Sequence, residues 1–281
     1  MRFAVSHSTR YRYTRPVLLG PHVFRVRPRS DGSQRLIDFR VRVQPRPVGW
    51  SECVDLDGNA VAHAWFDVLT ESLTVVSTFT VDTLRTNPYD FLVDPSAVTL
   101  PDADAIDDDL ALAAYLRRPQ PDDAVAAFAE AVRREVGAQT VPFLTTLTRR
   151  IADRSRPVVR IAGDPQLPAY TLREGTGACR DLAVLFIDCC RSVGLPARFV
   201  SGYYGGPTSV EHRYLHAWAE VFLPGAGWRG FDPLQGLAAA DQHVAVAANA
   251  QPRGAAPIDG SLHSGAAGSR MEVDLRIETV E

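Results

Sequence analysis

Lysine is absent from this chain of 281 residues, and all thirty of its basic residues are arginine. A coding bias accounts for that composition, but it has a chemical consequence: no lysine amine is present to accept an acyl group. The chain also has no excess of basic over acidic residues, since its formal net charge is −3. That charge gives no electrostatic reason to expect binding to nucleic acid or to an anionic membrane.

Long apolar runs and a regular cysteine pattern are also missing. The opening MRFAVSHSTRYRYTRP lacks the apolar stretch of a signal peptide, and no later run approaches the roughly 20 residues of a membrane span. Four unevenly spaced cysteines do not make a disulfide framework in a chain of this length. Apolar residues at 46% and charged residues at 22% are typical of a globular protein. We expect a reduced, cytoplasmic protein.

The first third of the chain predicts β-strands. HVFRVRPR, RLIDFRVRV and the run from 73 to 81 alternate or cluster β-branched and aromatic residues between turn signals. DLDGNAV, residues 55–61, contains the Asp-Gly pair of a hairpin. It also resembles part of a calcium loop, but the third acidic position and the distal glutamate are missing. We predict a β-rich domain over 1–98 and a hairpin turn at this motif.

Helical patterns begin after a segment rich in Pro and Asp. Apolar spacing predicts one helix over 121–135 and a second over 143–152. A closing strand is predicted at MEVDLRIETV, near the C-terminus. The predicted fold class is therefore α+β, with a second domain over 99–281.

Three of the four cysteines lie in one stretch, GTGACRDLAVLFIDCC, residues 175–190. Apolar spacing predicts a helix over 179–193, with Gly194 placed to end it. A rise of about 1.5 Å per residue separates Cys179 from Cys189 by roughly 15 Å, which excludes a disulfide or a shared metal. Cys189 and Cys190 are predicted to be small buried apolar side chains.

Cys179 differs because it lies in the first turn of that helix. The free N–H groups and the positive dipole end of a helix stabilise a thiolate, and they can donate to an oxyanion that forms beside it. Position alone leaves a structural thiol as the alternative. A nucleophile also needs a base within reach.

YLHAWAEVFL, residues 214–223, alternates as a strand and presents His216. His212 and His216 do not form a zinc pair, because four residues of strand span about 13 Å. The turn PGAG then leads into WRGFDP, which ends near Asp232. A loop of three or five residues puts Asp232 on the same face as His216, whereas a four-residue loop points it away. The pairing is open at this stage.

The stretch GTGACRDLAVLFIDCCRSVGLPARFVSGYYGG, followed by LHAWAEVFLPGAGWRGFDPLQG, resembles the core of the bacterial transglutaminase-like superfamily. Members share a papain-like arrangement in which Cys, His and Asp follow one another along the chain. The resemblance implies that Cys179, His216 in the HAW motif and Asp232 in the FDP motif are the catalytic residues. It also implies a papain-like core, with the Cys helix packed on an antiparallel sheet. The N-terminal strands resemble the β-rich domain attached to many members, which we expect to be sandwich-like.

The resemblance implies thiol chemistry on an amide of a protein or peptide. Cys179 attacks the carbonyl, His216 transfers the proton and Asp232 orients the imidazole. Water as the acceptor gives a protease or amidase, which we favour, and a lysine amine gives a protein crosslink. An inactive binding or scaffold module with this fold, or a β-rich adaptor in which Cys179 is structural, is the alternative. Trp218, Tyr203 and Tyr204 are candidate walls of the substrate cleft, and no metal or other cofactor is expected.

Overall fold

The computed structural model describes residues 1–101, 110–207, 213–263 and 267–280. The N-terminal strands are β1 (Arg2–Phe24), β2 (Gln34–Gln44), β3 (Gly49–Val54), β4 (Ala60–Trp65) and β5 (Leu69–Thr83). Helices and short strands follow as α1 (Ala113–Leu116), α2 (Asp123–Glu135), α3 (Thr140–Arg154), β6 (Arg156–Pro157), α4 (Pro168–Glu174), β7 (Thr176–Gly177) and α5 (Cys179–Ser192). The remaining strands are β8 (Ala197–Tyr204), β9 (His216–Leu223), β10 (Gly227–Asp232), β11 (Leu237–Ala238), β12 (His243–Asn249), β13 (Ile258–Leu262) and β14 (Ser269–Val280). Short 3-10 turns cover Pro95–Ala97 and Pro252–Ala255.

The N-terminal region is an antiparallel β-sandwich whose two sheets share the long strand β1. The first half of β1 pairs with β5 and β14, and its second half pairs with β4 and β13. Its pairing with β5 is irregular between Arg12 and Val17, and from Leu19 onward β1 pairs with β13 and β4. Apolar residues of both sheets fill the space between them, among them Leu19, Phe24, Ala64, Leu73 and Val75. The predicted β-rich, sandwich-like region is confirmed.

The C-terminal strands return to the N-terminal region. β13 and β14 pair with β1, so both strands extend the N-terminal sheets. Alternation along MEVDLRIETV indicated a strand correctly, but alternation carries no information about the pairing partner. We propose that the second domain ends before 258, with β1 and β14 side by side in the sandwich.

The core is a five-stranded antiparallel sheet, in the order β11-β10-β9-β8-β12, with helices packed on it. Helix α2 confirms the first predicted helix: Asp122 caps its N-terminus by accepting from the N–H groups of Ala124 and Val125. α3 confirms the second and is longer at both ends than predicted. α5 buries Leu182, Phe186 and Cys189 in the largest apolar cluster, against alternate residues of β9. The antiparallel sheet and its Cys-bearing helix confirm the predicted α+β core.

The sandwich packs directly onto the core sheet. Phe3, Phe79, Tyr203 and Val244 lie in one apolar cluster that draws on both regions. The predicted hairpin turn joins β3 and β4, and Asn59 within it is fully buried. Its side-chain amide donates to the Ala248 carbonyl at 2.7 Å and accepts from the Ala248 N–H at 2.7 Å. The turn therefore extends the hydrogen bonding of β12 across the contact between the two regions.

Candidate active site

Cys179 opens helix α5 and is partly exposed. Gly175, at φ +60°, ends α4 in the left-handed region and turns the chain toward this position. The fully buried Asp181 accepts from the Ala178 N–H at 2.7 Å and from the Gln166 N–H at 2.8 Å. Asp181 thereby fixes the entry into the helix, a role that the sequence did not show. The thiol is held at a helix N-terminus with access to solvent.

The other cysteines differ from Cys179 in their surroundings. Cys189 and Cys190 are completely buried near the end of α5, and burial raises the pKa of both thiols. These two confirm the prediction of small buried side chains. Cys53 is exposed on β3 in the sandwich, more than 100 residues before α5 in the sequence. The chain thus contains an ordinary exposed thiol to compare with Cys179.

The hairpin between β9 and β10 meets the geometric condition for a His216–Asp232 pair. Leu223 pairs with Gly227, which leaves a three-residue loop, and both Gly225 (φ +82°) and Gly227 (φ +73°) have positive φ. Phe231 pairs with Ala219, so the same register brings Asp232 beside Trp218, on the face of His216. His216 Nε2 lies 2.6 Å from Asp232 Oδ2.

Both side chains are buried, and their electrostatics favour an ion pair. Burial disfavours the charged form of His216, but attraction to the Asp232 carboxylate and the hydrogen bond to it outweigh burial and raise the pKa of His216. Burial opposes ionisation of Asp232 too, yet the two histidines beside it hold the pKa of Asp232 below its usual range. The Cys179 thiol contributes to the raised pKa of His216. With Nε2 bound to Asp232, Nδ1 is the nitrogen left for the thiol.

A third residue of this cluster, His243 at the start of β12, has no counterpart in the sequence prediction. Its Nε2 lies 3.0 Å from Asp232 Oδ2, the oxygen that also accepts from His216. β12 pairs with β8, and His243 is aligned with Tyr204. A histidine opening the apolar run HVAVA resembles His216 opening HAWAEV, and that similarity is the signal that the sequence offered. We call His216, Asp232 and His243 the imidazole–carboxylate cluster.

Three donor atoms of this cluster lie within 4.8 Å of one another, which raises the question of a metal. Zinc ligands stand about 2.0–2.2 Å from the ion, and tetrahedral neighbours are therefore more than 3 Å apart. Both Nε2–Oδ2 separations here, 2.6 and 3.0 Å, are those of direct hydrogen bonds. An ion would have to displace both protons and push the side chains apart, so the geometry fits a hydrogen-bonded network better than a metal site. His212, excluded above as a zinc ligand, lies outside the described residues.

The three candidate cleft residues have different locations. Tyr204 is partly exposed, and its ring centroid lies 5.8 Å from that of His216 and 5.0 Å from that of His243. Trp218 is almost fully buried beneath the histidines, and its ring contacts both of them. Tyr203 is buried between the regions, where its hydroxyl bonds to His7 Nδ1 at 2.9 Å. Of the three candidates, Tyr204 is therefore the one that is partly exposed beside His216, and the cleft role of all three stays a prediction.

The Cys-bearing helix packed on an antiparallel sheet is the arrangement of a papain-like core. Residues 3–82 match the bacterial transglutaminase-like N-terminal region, and residues 111–233 match the transglutaminase-like superfamily. These two matches cover most of the chain, which belongs to the transglutaminase-like superfamily.

Related proteins span the chain from end to end. An uncharacterized protein of Mycobacterium tuberculosis is 26% identical over 100% of this chain and 93% of its own length. A protein-glutamine gamma-glutamyltransferase of Pseudomonas aeruginosa is 36% identical over a short segment, 22% of this chain and 10% of that protein. The crystal structure of a candidate cysteine protease from Cytophaga hutchinsonii superposes with a TM-score of 0.72 at 22% identity, covering 100% of this chain and 92% of that one. That likeness confirms the fold.

In the part of the chain that the structure describes, no helix is both long enough and apolar enough to cross a bilayer.

Proposed function

We propose that this protein is a cysteine-dependent acyl-transfer enzyme that acts on an amide of a protein or peptide substrate. The observation that supports the proposal is the pairing of His216 with Asp232 at 2.6 Å, together with the contribution of Cys179 to the raised pKa of His216. A solvent-accessible thiol, a base and a buried carboxylate that orients the base are the parts that thiol catalysis needs.

The reaction begins when the Cys179 thiolate attacks the carbonyl carbon. The oxygen becomes an oxyanion, which the N–H groups in the first turn of α5 are positioned to stabilise. The C–N bond then breaks, His216 gives its proton to the leaving amine, and a thioester forms on Cys179. In the second half-reaction His216 takes a proton from the acceptor, the acceptor attacks the thioester, and the thiolate is released.

The acceptor determines the enzyme class, and we favour water. Aromatic walls that exclude water would favour an amine, but Tyr203 is buried between the two regions, and Trp218 is almost fully buried beneath His216 and His243. A cytoplasm, which we propose as the location, holds many lysine-bearing proteins that an unrestrained crosslinking enzyme would join. The short segment shared with the gamma-glutamyltransferase supports crosslinking as the second candidate.

A peptide library that contains glutamine, incubated with and without a labelled primary amine, distinguishes these outcomes. Hydrolysis predicts a new carboxylate and little label, whereas transfer predicts an amine adduct. Both products should disappear with Cys179→Ala and survive exhaustive chelation. Lysine is absent, so the enzyme alone should form no ladder of crosslinked chains. An inactive scaffold protein gives no product under any condition, which would overturn the proposal.

A further inference from the structure

The Asp232 carboxylate carries more hydrogen bonds than orientation of one histidine requires. Its Oδ1 accepts from the backbone N–H groups of Leu234 at 3.0 Å and Gln235 at 3.2 Å. Its Oδ2 accepts from His216 and from His243. Asp232 is completely buried, so water cannot readily replace a donor that is lost.

The second imidazole is itself held in one orientation and one tautomer. The Ala240 N–H donates to His243 Nδ1 at 3.4 Å, which leaves the ring proton on Nε2, the atom facing Asp232. The Trp218 ring meets the His243 ring edge to face at 5.2 Å, and the Tyr204 ring lies 5.0 Å away. His243 is therefore a fixed donor to the carboxylate.

A fixed donor matters because the terminal torsion of an aspartate is broad. Rotation about that torsion would carry Oδ2 away from His216 Nε2 and loosen the hydrogen bond that sets the His216 tautomer. Two backbone donors secure Oδ1, and His243 donates to Oδ2, the oxygen that also accepts from His216. We propose that His243 is a positioning residue, which keeps the Asp232 carboxylate aimed at His216; this inference rests on the proposed function of Cys179, His216 and Asp232.

The test compares His243→Gln with His243→Met. Both side chains have similar length, but only glutamine has an N–H group that can donate to Asp232. We expect the Met variant to lose kcat by roughly 10–100-fold with little change in KM, the size of loss seen when a hydrogen-bond partner that orients a metal-ligating side chain is removed. The Gln variant should recover most of that loss. If the His243→Met variant does not fold, His243→Phe replaces it, because phenylalanine keeps an aromatic ring beside Trp218.

A second measurement does not need a substrate. In protein labelled with ¹⁵N-histidine, the His216 Nε2–H resonance reports the bond to Asp232 directly. A strong hydrogen bond to Asp232 places this resonance at low field in the wild-type protein. The low-field position should be lost in the Met variant and kept in the Gln variant.

Two results would overturn the inference. One is a Met variant, or Phe variant, that keeps both the wild-type kcat and the wild-type His216 resonance. The other is an equal loss in the Gln and Met variants that follows thermal stability, since that would assign His243 to packing. If the wild-type protein shows neither turnover nor reactivity at Cys179, the proposed function fails, and the resonance comparison still decides whether His243 positions Asp232.

Discussion

Two buried carboxylates of the core sheet have contrasting partners. Glu220 is bound by the guanidinium groups of Arg29 and Arg198, with contacts of 2.6 and 2.7 Å, and we call these three residues the guanidinium cluster. Asp232 is bound by two imidazoles. Guanidinium keeps its charge at any pH at which the protein folds, whereas imidazole exchanges a proton near neutral pH.

In both clusters burial opposes ionisation of the carboxylate, but the neighbouring guanidinium or imidazole groups outweigh burial and lower its pKa. Burial raises the pKa of Glu220, and attraction to Arg29 and Arg198 lowers it to about 2. Arg29 lies in the sandwich and Arg198 in the core, so the permanent charges join the two regions. The imidazole–carboxylate cluster instead lies beside the Cys179 thiol, and we propose that it accepts and returns a proton. The guanidinium cluster thus holds the two regions together, whereas we propose that the equally buried imidazole–carboxylate cluster takes part in catalysis.

The largest expected effect on turnover comes from removing the thiol beside the imidazole–carboxylate cluster. Cys179→Ala should reduce turnover to background while the far-UV spectrum and the melting temperature stay close to wild type, because the side chain is partly exposed at a helix start. Cys53→Ala, which changes an exposed thiol of the sandwich, is the matched control and should keep full activity. Normal turnover by the Cys179 variant would refute the assignment of the nucleophile.

Asp232→Asn removes the charge of the imidazole–carboxylate cluster and keeps its shape. We expect turnover to fall by up to about 10⁴-fold, because an amide can donate to His216 Nε2 and stabilise the wrong tautomer. Circular dichroism should show a folded protein. A loss of less than tenfold would indicate that His216 does not depend on this carboxylate.

Glu220→Gln makes the corresponding change in the guanidinium cluster. Two buried arginines then lose their counter-charge, which should lower the free energy of unfolding by about 3–5 kcal/mol. Urea denaturation measures the change, and turnover per folded molecule should stay near wild type. Asp38→Asn at the exposed Asp38–Arg40 pair is the control and should have no measurable effect. A large loss of turnover with unchanged stability would contradict the division of roles.

A smaller effect should separate the clusters by pH. The raised pKa of His216 means that its contribution to stability is fully present below the ordinary histidine pKa, 6.5, and is lost as pH rises through the raised value. The stability difference between wild type and His216→Gln should therefore shrink between pH 6.5 and about pH 10. The difference between wild type and Glu220→Gln should be constant over that range, because Glu220 stays ionised. Equal pH dependence in both pairs would contradict the assignment.

Much of this architecture follows from local patterns, and the failures share a cause. The start of α5 at Cys179 follows from the preceding glycines and the apolar spacing, both of which are local. The pairing of His216 with Asp232 depended on whether the hairpin loop has an odd number of residues, which PGAG does not specify. His243 was missed, and the pairing of the C-terminal strands with β1 was not predicted, because both depend on strands that pair across long stretches of chain. The burial of Tyr203 was not predicted, because it depends on the sandwich that covers that face of the strand.

The most direct test of the account compares the alkylation rates of Cys53 and Cys179 in one sample at mildly acidic pH. Site-resolved mass spectrometry after brief exposure to iodoacetamide gives both rates. Accessibility alone favours Cys53, which is exposed, over the partly exposed Cys179. Activation by His216 predicts the reverse order, with Cys179 labelled faster in wild type and slowed to the rate of an ordinary thiol in His216→Ala. Faster labelling of Cys53, or a Cys179 rate that does not change in His216→Ala, would contradict the account.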